Sequence, residues 1–220
     1  MFIINCKNYD EIAGEKIIKI AKISERISKK YKVPIAIAPP HHLIPLITKF
    51  KITVLAQHVD DKKVGSTTGF MVPEIVKKSK INGSIINHSE HRISEREIIS
   101  LVKRLQKLKL KTVLCVKNVN EAKKFVKLNP TFIAIEPPEL IGTGRAISTE
   151  KPALITNAVK AVSSTKNSTK LLCGAGIVSG QDVSKAKELG SKGILVASGI
   201  VKAKNWEKII SEFCKGLKSQ

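Results

Sequence analysis

Short runs of β-branched and other apolar residues alternate with longer amphipathic stretches from one end of the chain to the other. The runs cover residues 2–6, 34–38, 52–56, 83–87, 112–116, 131–136, 170–173 and 193–197. Their β-rich, apolar character predicts short strands. Between them, near 12–31, 41–49, 73–80, 95–109, 120–128, 150–163, 181–190 and 204–218, apolar residues recur at helical spacing. Eight strands, each followed by a helix, make a parallel sheet of βα units. Eight near-equal units of roughly 27 residues suit closure into a (β/α)8 barrel better than an open sheet. No linker or shift of composition interrupts the run, so residues 1–220 are expected to form a single α/β domain.

A barrel of this kind carries its chemistry on the loops at the C-terminal ends of the strands. The first run ends at Asn5-Cys6-Lys7, the third at Gln57-His58, the fourth at Asn87-His88-Ser89-Glu90 and the sixth at Glu136. The seventh leads into Gly174-Ala175-Gly176 and the eighth into Ala197-Ser198-Gly199. A lysine, a histidine and a carboxylate are thus aimed at one mouth. Glu136 is either a structural acid paired with a lysine or a general base, since the run before it is wholly apolar and burial strengthens a carboxylate as a proton acceptor. His88 is either a satisfied core histidine or a neutral donor to a carbonyl oxygen. A metal pair with His91 is not expected, because His88-Ser89-Glu90-His91 is one residue short of the HExxH spacing. Lys7 is either a solvated lysine or an electrostatic partner for an anionic substrate, with Asn5 holding it in place. Gly174-Ala175-Gly176 does not continue as a dinucleotide fingerprint, since Gly180 lies one residue too far on. Small residues there suit backbone amides that approach a phosphate closely. After Glu136 come Pro137-Pro138, then Leu140-Ile141, then Gly142-Thr143-Gly144. A stiff start, an apolar tip and a pliable end describe a lid that keeps a reactive intermediate from water.

Composition narrows the partners. The chain has 39 Lys and Arg against 18 Asp and Glu, a formal net charge of +21. The cations are spread at solvated-face spacing over stretches such as 16–22 and 121–125, with no dominant cluster. Six Phe, two Tyr and one Trp are not interleaved with them as stacking platforms would be. Nucleic acid is therefore not an expected partner, whereas a diffuse positive field draws in small anions, phosphate esters included. No apolar run approaches the ~18 residues that a membrane span needs, so no membrane partner is expected. The start of the chain lacks a basic n-region and a cleavage site. Cys6, Cys115, Cys173 and Cys214 form no CxxC pair, which suits buried, reduced thiols in a cytoplasmic protein.

Six motifs, each at a strand end and in this order, carry a resemblance. They are Asn5-x-Lys7, Gln57-His58-Val59-Asp60, Asn87-His88-Ser89-Glu90, the segment from Ala134 to Gly144, Cys173-Gly174-Ala175-Gly176-Ile177 and Ala197-Ser198-Gly199. Together they resemble the triosephosphate isomerase family, specifically its short archaeal form, over nearly the whole chain. The resemblance implies the (β/α)8 TIM barrel and the interconversion of dihydroxyacetone phosphate and D-glyceraldehyde 3-phosphate in glycolysis and gluconeogenesis, without cofactor or metal. It implies that Glu136 removes the proton next to the carbonyl and that neutral His88 donates to the carbonyl oxygen. Lys7 would stabilise developing negative charge, Asn5 would help to place substrate and Glu90 would pair with Lys7. Substrate contacts are implied for Asn5, Cys6 and Lys7, and phosphate contacts for the backbone around Ile141, Gly174, Gly176, Ala197 and Ser198. A homo-oligomer, dimer or tetramer, is implied as well, with the loop at 61–72 reaching into a partner's mouth.

The chain departs from the family pattern at three places. Cys6 stands where many members have an aromatic residue, His91 where arginine is common, and Glu139 where the bacterial and eukaryotic form has tryptophan. A thiol beside Lys7 carries the expectation of sensitivity to oxidation or alkylation. The rival readings are another phosphate-binding barrel, such as a sugar-phosphate epimerase or an indole-pathway enzyme, and a catalytically silent basic module for nucleic acid. The histidine spacing supplies no obvious metal set for an epimerase, and the presence of Glu136, His88 and Lys7 argues against a silent module.

Overall fold

The eight apolar runs become eight strands: β1 (Phe2–Asn5), β2 (Ile35–Ala38), β3 (Thr53–Ala56), β4 (Gly83–Ile86), β5 (Lys111–Val116), β6 (Phe132–Ile135), β7 (Lys170–Cys173) and β8 (Ile194–Val196). A computed structural model describes the protein over residues 1–140 and 146–218. Each strand pairs in parallel with the next, and β1 pairs with β8 to close the barrel. Closure leaves no open edge among these strands. Side chains alternate as the pleat demands. Ile3, Ala36, Leu55, Val113 and Leu172 fill the inside of the barrel, while Phe2, Ile4, Ile35 and Ile37 face the surrounding helices. Both faces are buried, which is why the strands read as unbroken apolar runs.

The helices are α1 (Lys16–Tyr31), α2 (Ile44–Ile47), α3 (Pro73–Lys78), α4 (Glu95–Lys107), α5 (Val119–Phe125), α6 (Ile147–Glu150), α7 (Pro152–Ser163), α8 (Gly180–Glu188), α9 (Ser198–Val201) and α10 (Trp206–Lys218). Among the described residues two more are present than the periodicity predicts. The stretch at 150–163 divides because Pro152 disfavours helical backbone at Lys151, whose φ and ψ are −138° and 57°. The four residues of α9 follow β8 as Ser-Gly-Ile-Val, too short a run to show a helical period. The first helix also starts later than expected, since Gly14 takes a φ of +57° between a 3-10 turn at Asp10–Ile12 and α1.

Local chemistry sets the helix ends. Ser94 and Glu97 form a capping box on α4, Ser179 and Asp182 form another on α8, and Asn118 caps α5. Each such cap stabilises its helix by about 1 kcal/mol. Acids occupy several first turns, among them Glu95, Glu97, Glu121 and Asp182, and cations fill the last turns. That arrangement complements the helix dipoles. The helix of each βα unit runs from the mouth back to the base, so the same preference separates charge between the two ends of the barrel.

Candidate active site

The strand ends converge on a cavity lined by Asn5, Lys7, Tyr9, His88 and Glu136, with the backbone-rich segments 174–178 and 195–199 as its opposite wall. β1 delivers Asn5, whose Oδ1 accepts the Lys7 backbone N–H at 3.1 Å. Lys7 has a φ of +45°, so its side chain is turned across the mouth at the expense of backbone strain. Gln57 holds that turn from β3, with Nε2 donating to the carbonyls of Lys7 (2.8 Å) and Ala38 (3.1 Å). The Lys7 ammonium pairs with Glu90 at 2.7 Å.

His88 is aimed by a similar device. Asn87 adopts a φ of +56° and is braced by Nδ2–H donation to the Cys115 carbonyl at 2.9 Å. Arg92 donates to the Asn87 carbonyl, also at 2.9 Å. The His88 Nδ1 accepts the Glu90 backbone N–H at 3.2 Å. A ring nitrogen that accepts carries no hydrogen, which leaves Nε2 as the ring's donor. That Nε2 lies 3.4 Å from Glu136 Oε1.

Glu136 is 2% exposed. Its backbone N–H continues the β5–β6 ladder by donating to Val116 at 2.8 Å, which carries the carboxylate just past the end of the apolar strand. Its Oε2 is buried and has no hydrogen-bond partner. An uncompensated buried carboxylate oxygen is costly, and the Glu136 side chain lines a cavity where a proton donor can arrive. The Cys115 thiol lies beside this carboxylate. Burial, and next the Glu136 charge, pushes that thiol well above its ordinary range, so it remains protonated. Gly174 supplies the opposing surface: a Cβ there would stand 2.5 Å from Glu136 Cγ. Only glycine lets β7 approach the carboxylate so closely.

Asn5, Lys7, His88, Glu136, Gly174, Gly176, Ala197 and Ser198 all line the one cavity, and Glu90 meets Lys7 at its edge. Ile141 and the Gly142-Thr143-Gly144 end of the lid lie outside the described residues. Cys6 does not reach the cavity. Its side chain belongs to the outer core between barrel and helices, because neighbours along a strand point to opposite faces and Asn5 takes the inward one. Burial pushes its thiol up to about 12. The expected sensitivity of a thiol beside Lys7 is therefore corrected: the thiolate that reacts is suppressed. His91 stacks on His58 with ring centroids 4.0 Å apart, in a basin beside the mouth that His41 and Asp60 also line. Among the described residues no group of three His, Cys, Asp or Glu is arranged to hold a metal ion.

Sequence reasoning passed over Gln57 and Asn87 as individual supports, although both lie in the quoted motifs. The positive φ that they brace was the hidden signal. Tyr9 was also missed: it lines the cavity, and the Lys202 ammonium stands 4.8 Å from its ring centre.

Comparison with known proteins agrees with this geometry. The family model described as triosephosphate isomerase matches residues 1–213. The triosephosphate isomerase of Cenarchaeum symbiosum is 52% identical over 217 residues, covering 99% of this chain and 97% of that protein. That of Methanocaldococcus jannaschii is 41% identical over 216 residues, with 98% and 99% covered. That of Sulfurisphaera tokodaii is 43% identical over 214 residues, with 97% and 93% covered. Matches that span the barrel from β1 to α10 at these identities leave one assignment, and the chain belongs to the triosephosphate isomerase family.

Proposed function

We propose that this protein interconverts dihydroxyacetone phosphate and D-glyceraldehyde 3-phosphate through an enediolate, with Glu136 as base and neutral His88 as electrophile. The observation that carries the reading is the buried Glu136 carboxylate, with one oxygen 3.4 Å from His88 Nε2 and the other unpartnered. The family's established mechanism already gives these roles to a glutamate and a neutral histidine, and the proposal carries them onto these two side chains. Glu136 takes the proton from the carbon beside the carbonyl. His88 Nε2–H donates to the carbonyl oxygen as charge moves onto it, and can pass a proton between the two adjacent oxygens. A neutral imidazole is suited to this because it loses and regains one proton without a prior change of charge.

Lys7 adds a cation at the same oxygens, where a low-dielectric wall strengthens it. Asn5 and Gln57 act through Lys7 as positioning residues, since both hydrogen-bond its turn. The phosphate is held by the backbone at Gly174, Gly176, Ala197 and Ser198, the part of the cavity wall with the fewest bulky side chains. The reaction joins the two triose phosphates of glycolysis and gluconeogenesis.

The functional unit is a homo-oligomer in which the loop at 61–72 meets a second copy. Arg104 anchors the root of that loop through Asp61 at 3.3 Å and the Lys62 carbonyl at 2.6 Å. Val64 and Phe70 remain 55% and 44% exposed. An anchored loop with apolar side chains in water fits a partner surface.

The test is turnover of D-glyceraldehyde 3-phosphate by purified protein, with a dehydrogenase reporting dihydroxyacetone phosphate, for the native chain and for Glu136→Gln. Rapid conversion that the substitution abolishes is expected. Near-native turnover in Glu136→Gln would remove it as the base, and an inactive, folded native chain would remove the substrate.

A further inference from the structure

Seven loops bring the chain from a helix down into a strand at the base of the barrel, opposite the mouth. Each contains at least one lysine and none contains Asp or Glu. Three of these lysines, Lys32, Lys80 and Lys109, sit at left-handed positions just after α1, α3 and α4, with φ of 53°, 62° and 55°. The others include Lys51, Lys127, Lys166 and Lys192. All are exposed. Among the described residues none of these side chains has an ion-pair partner, whereas the paired cations, such as Lys7, Arg92 and Arg104, hold acids at the mouth or on the flanks. The nearest carboxylates along the chain are engaged: Glu25 accepts the Lys51 backbone N–H, and Glu188 pairs with Lys185.

Helix dipoles account for part of this charge. Each helix end presents about half a negative charge, so the eight helices that end here sum to about four. Lysines in the last turns, among them Lys29, Lys30, Lys77, Lys107 and Lys218, already offset that amount. The loop lysines are in excess of it. Glycine also suits a left-handed site better than lysine by about 1 kcal/mol, so local backbone preference does not explain them either.

The sequence set nucleic acid aside because its cations are spread along the chain, but the fold gathers them, and we propose that the base of the barrel is a docking face for the phosphate backbone of duplex nucleic acid, bound without sequence preference. Charge complementarity carries the choice of a polyphosphate. The side chains that are missing narrow it further. None of the exposed large apolar residues, Leu46, Val64, Phe70, Ile75 and Val178, lies in these loops. A membrane surface would be met by cations together with inserted apolar or aromatic groups, and a protein partner by an apolar centre. Single strands are held on aromatic platforms, and the aromatics nearest this face, Tyr31 and Phe50, are packed against the core. A row of backbone phosphates requires only cations. The inference does not depend on the isomerisation, whose site lies at the other end of the barrel.

The test compares two variants of equal net charge. One replaces Lys51, Lys80, Lys127, Lys166 and Lys192 with Gln, and the other does so for the helix-flank residues Lys19, Lys22, Lys103, Lys123 and Lys208. Binding to a duplex of about 20 base pairs is followed by fluorescence anisotropy from about 50 to 200 mM salt. The native protein is expected to bind with a steep salt dependence. The base variant should lose more than about tenfold in affinity, and its log–log salt slope should fall by about 0.9 for each lysine that had met a phosphate. The flank variant should lose less than about threefold. Equal losses in the two variants would overturn the proposal in favour of diffuse attraction. Absence of binding by the native protein at about 150 mM salt would also overturn it, as would a preference for phosphatidylserine vesicles over the duplex. Unchanged isomerase turnover in both variants shows that they are folded.

Discussion

The mouth and the base of this barrel are made from the same repeating unit, yet they use charge in opposite ways. At the mouth the polar groups are held by one another: Lys7 by Glu90, and His88 between the Glu90 amide and Glu136. Several of these groups are buried, so small displacements change their energies greatly. At the base the loop lysines stand in water, and among the described residues none of their ammonium groups has an ion-pair partner. Solvent screens each of them, and only their sum has an effect. The difference teaches that a buried charge acts through its geometry, whereas an exposed one acts through its number.

The largest effect should come from the mouth. Glu136→Gln keeps the shape and removes the proposed base, so kcat should fall by about 10²–10⁴ while substrate binding changes little. Next, Gly174→Ala puts a methyl group against Glu136 Cγ. Displacing the carboxylate by about 1 Å should cost about 10² in kcat with an almost unchanged melting temperature. If both substitutions left turnover intact, the mouth would be no more sensitive to geometry than the base.

A smaller effect depends on pH. Burial lowers the pKa of His58 and of His41 below the ordinary histidine value; His91 adds to the shift for His58. A depressed folded pKa means that the unfolded chain takes up protons first as the pH falls. Stability from these neutral rings is thus complete above the ordinary histidine range and is lost as acid carries the protein down through it. The melting temperature should drop by a few degrees between about pH 7 and pH 5, and His58→Gln should flatten the curve. No histidine occupies the base loops, so an undiminished pH response in His58→Gln and in His41→Gln would assign the effect elsewhere.

Two smaller responses complete the comparison. All four thiols are buried, so a thiol reagent should label the native protein more slowly than the denatured chain by at least about 10²-fold. Prompt labelling with loss of activity would restore the idea of a reactive Cys6. At the base, any single lysine to glutamine change should leave turnover unaltered and shift stability by less than about 0.5 kcal/mol. A larger loss would mean that these lysines stabilise the fold and are not held in excess.

Particular residues show why some features were legible in advance. The strands were, because burial on both faces makes each an unbroken apolar run, bounded by turn residues such as Pro34 and Pro130. Glu136, His88 and Lys7 were legible as candidates, because each ends such a run and the fold places those ends together. Cys6 was misjudged for the same reason that Asn5 was found: neighbours along a strand face opposite ways, and the pattern did not say which of the two looked inward. The short α9 and the break at Lys151-Pro152 fell below the length at which a helical period can be read.

The sequence by itself determined the eight βα units, the closure that follows from their number and the residue types delivered to the mouth. These depend on local periodicity and on side-chain chemistry, which are written in order along the chain. Only the tertiary structure decided that the Glu90 amide donates to His88 Nδ1, that Gly174 packs against Glu136 and that lysines spread over the chain gather on one face. Each of those depends on residues far apart in sequence, and a closed barrel brings every eighth part of the chain to the same two ends.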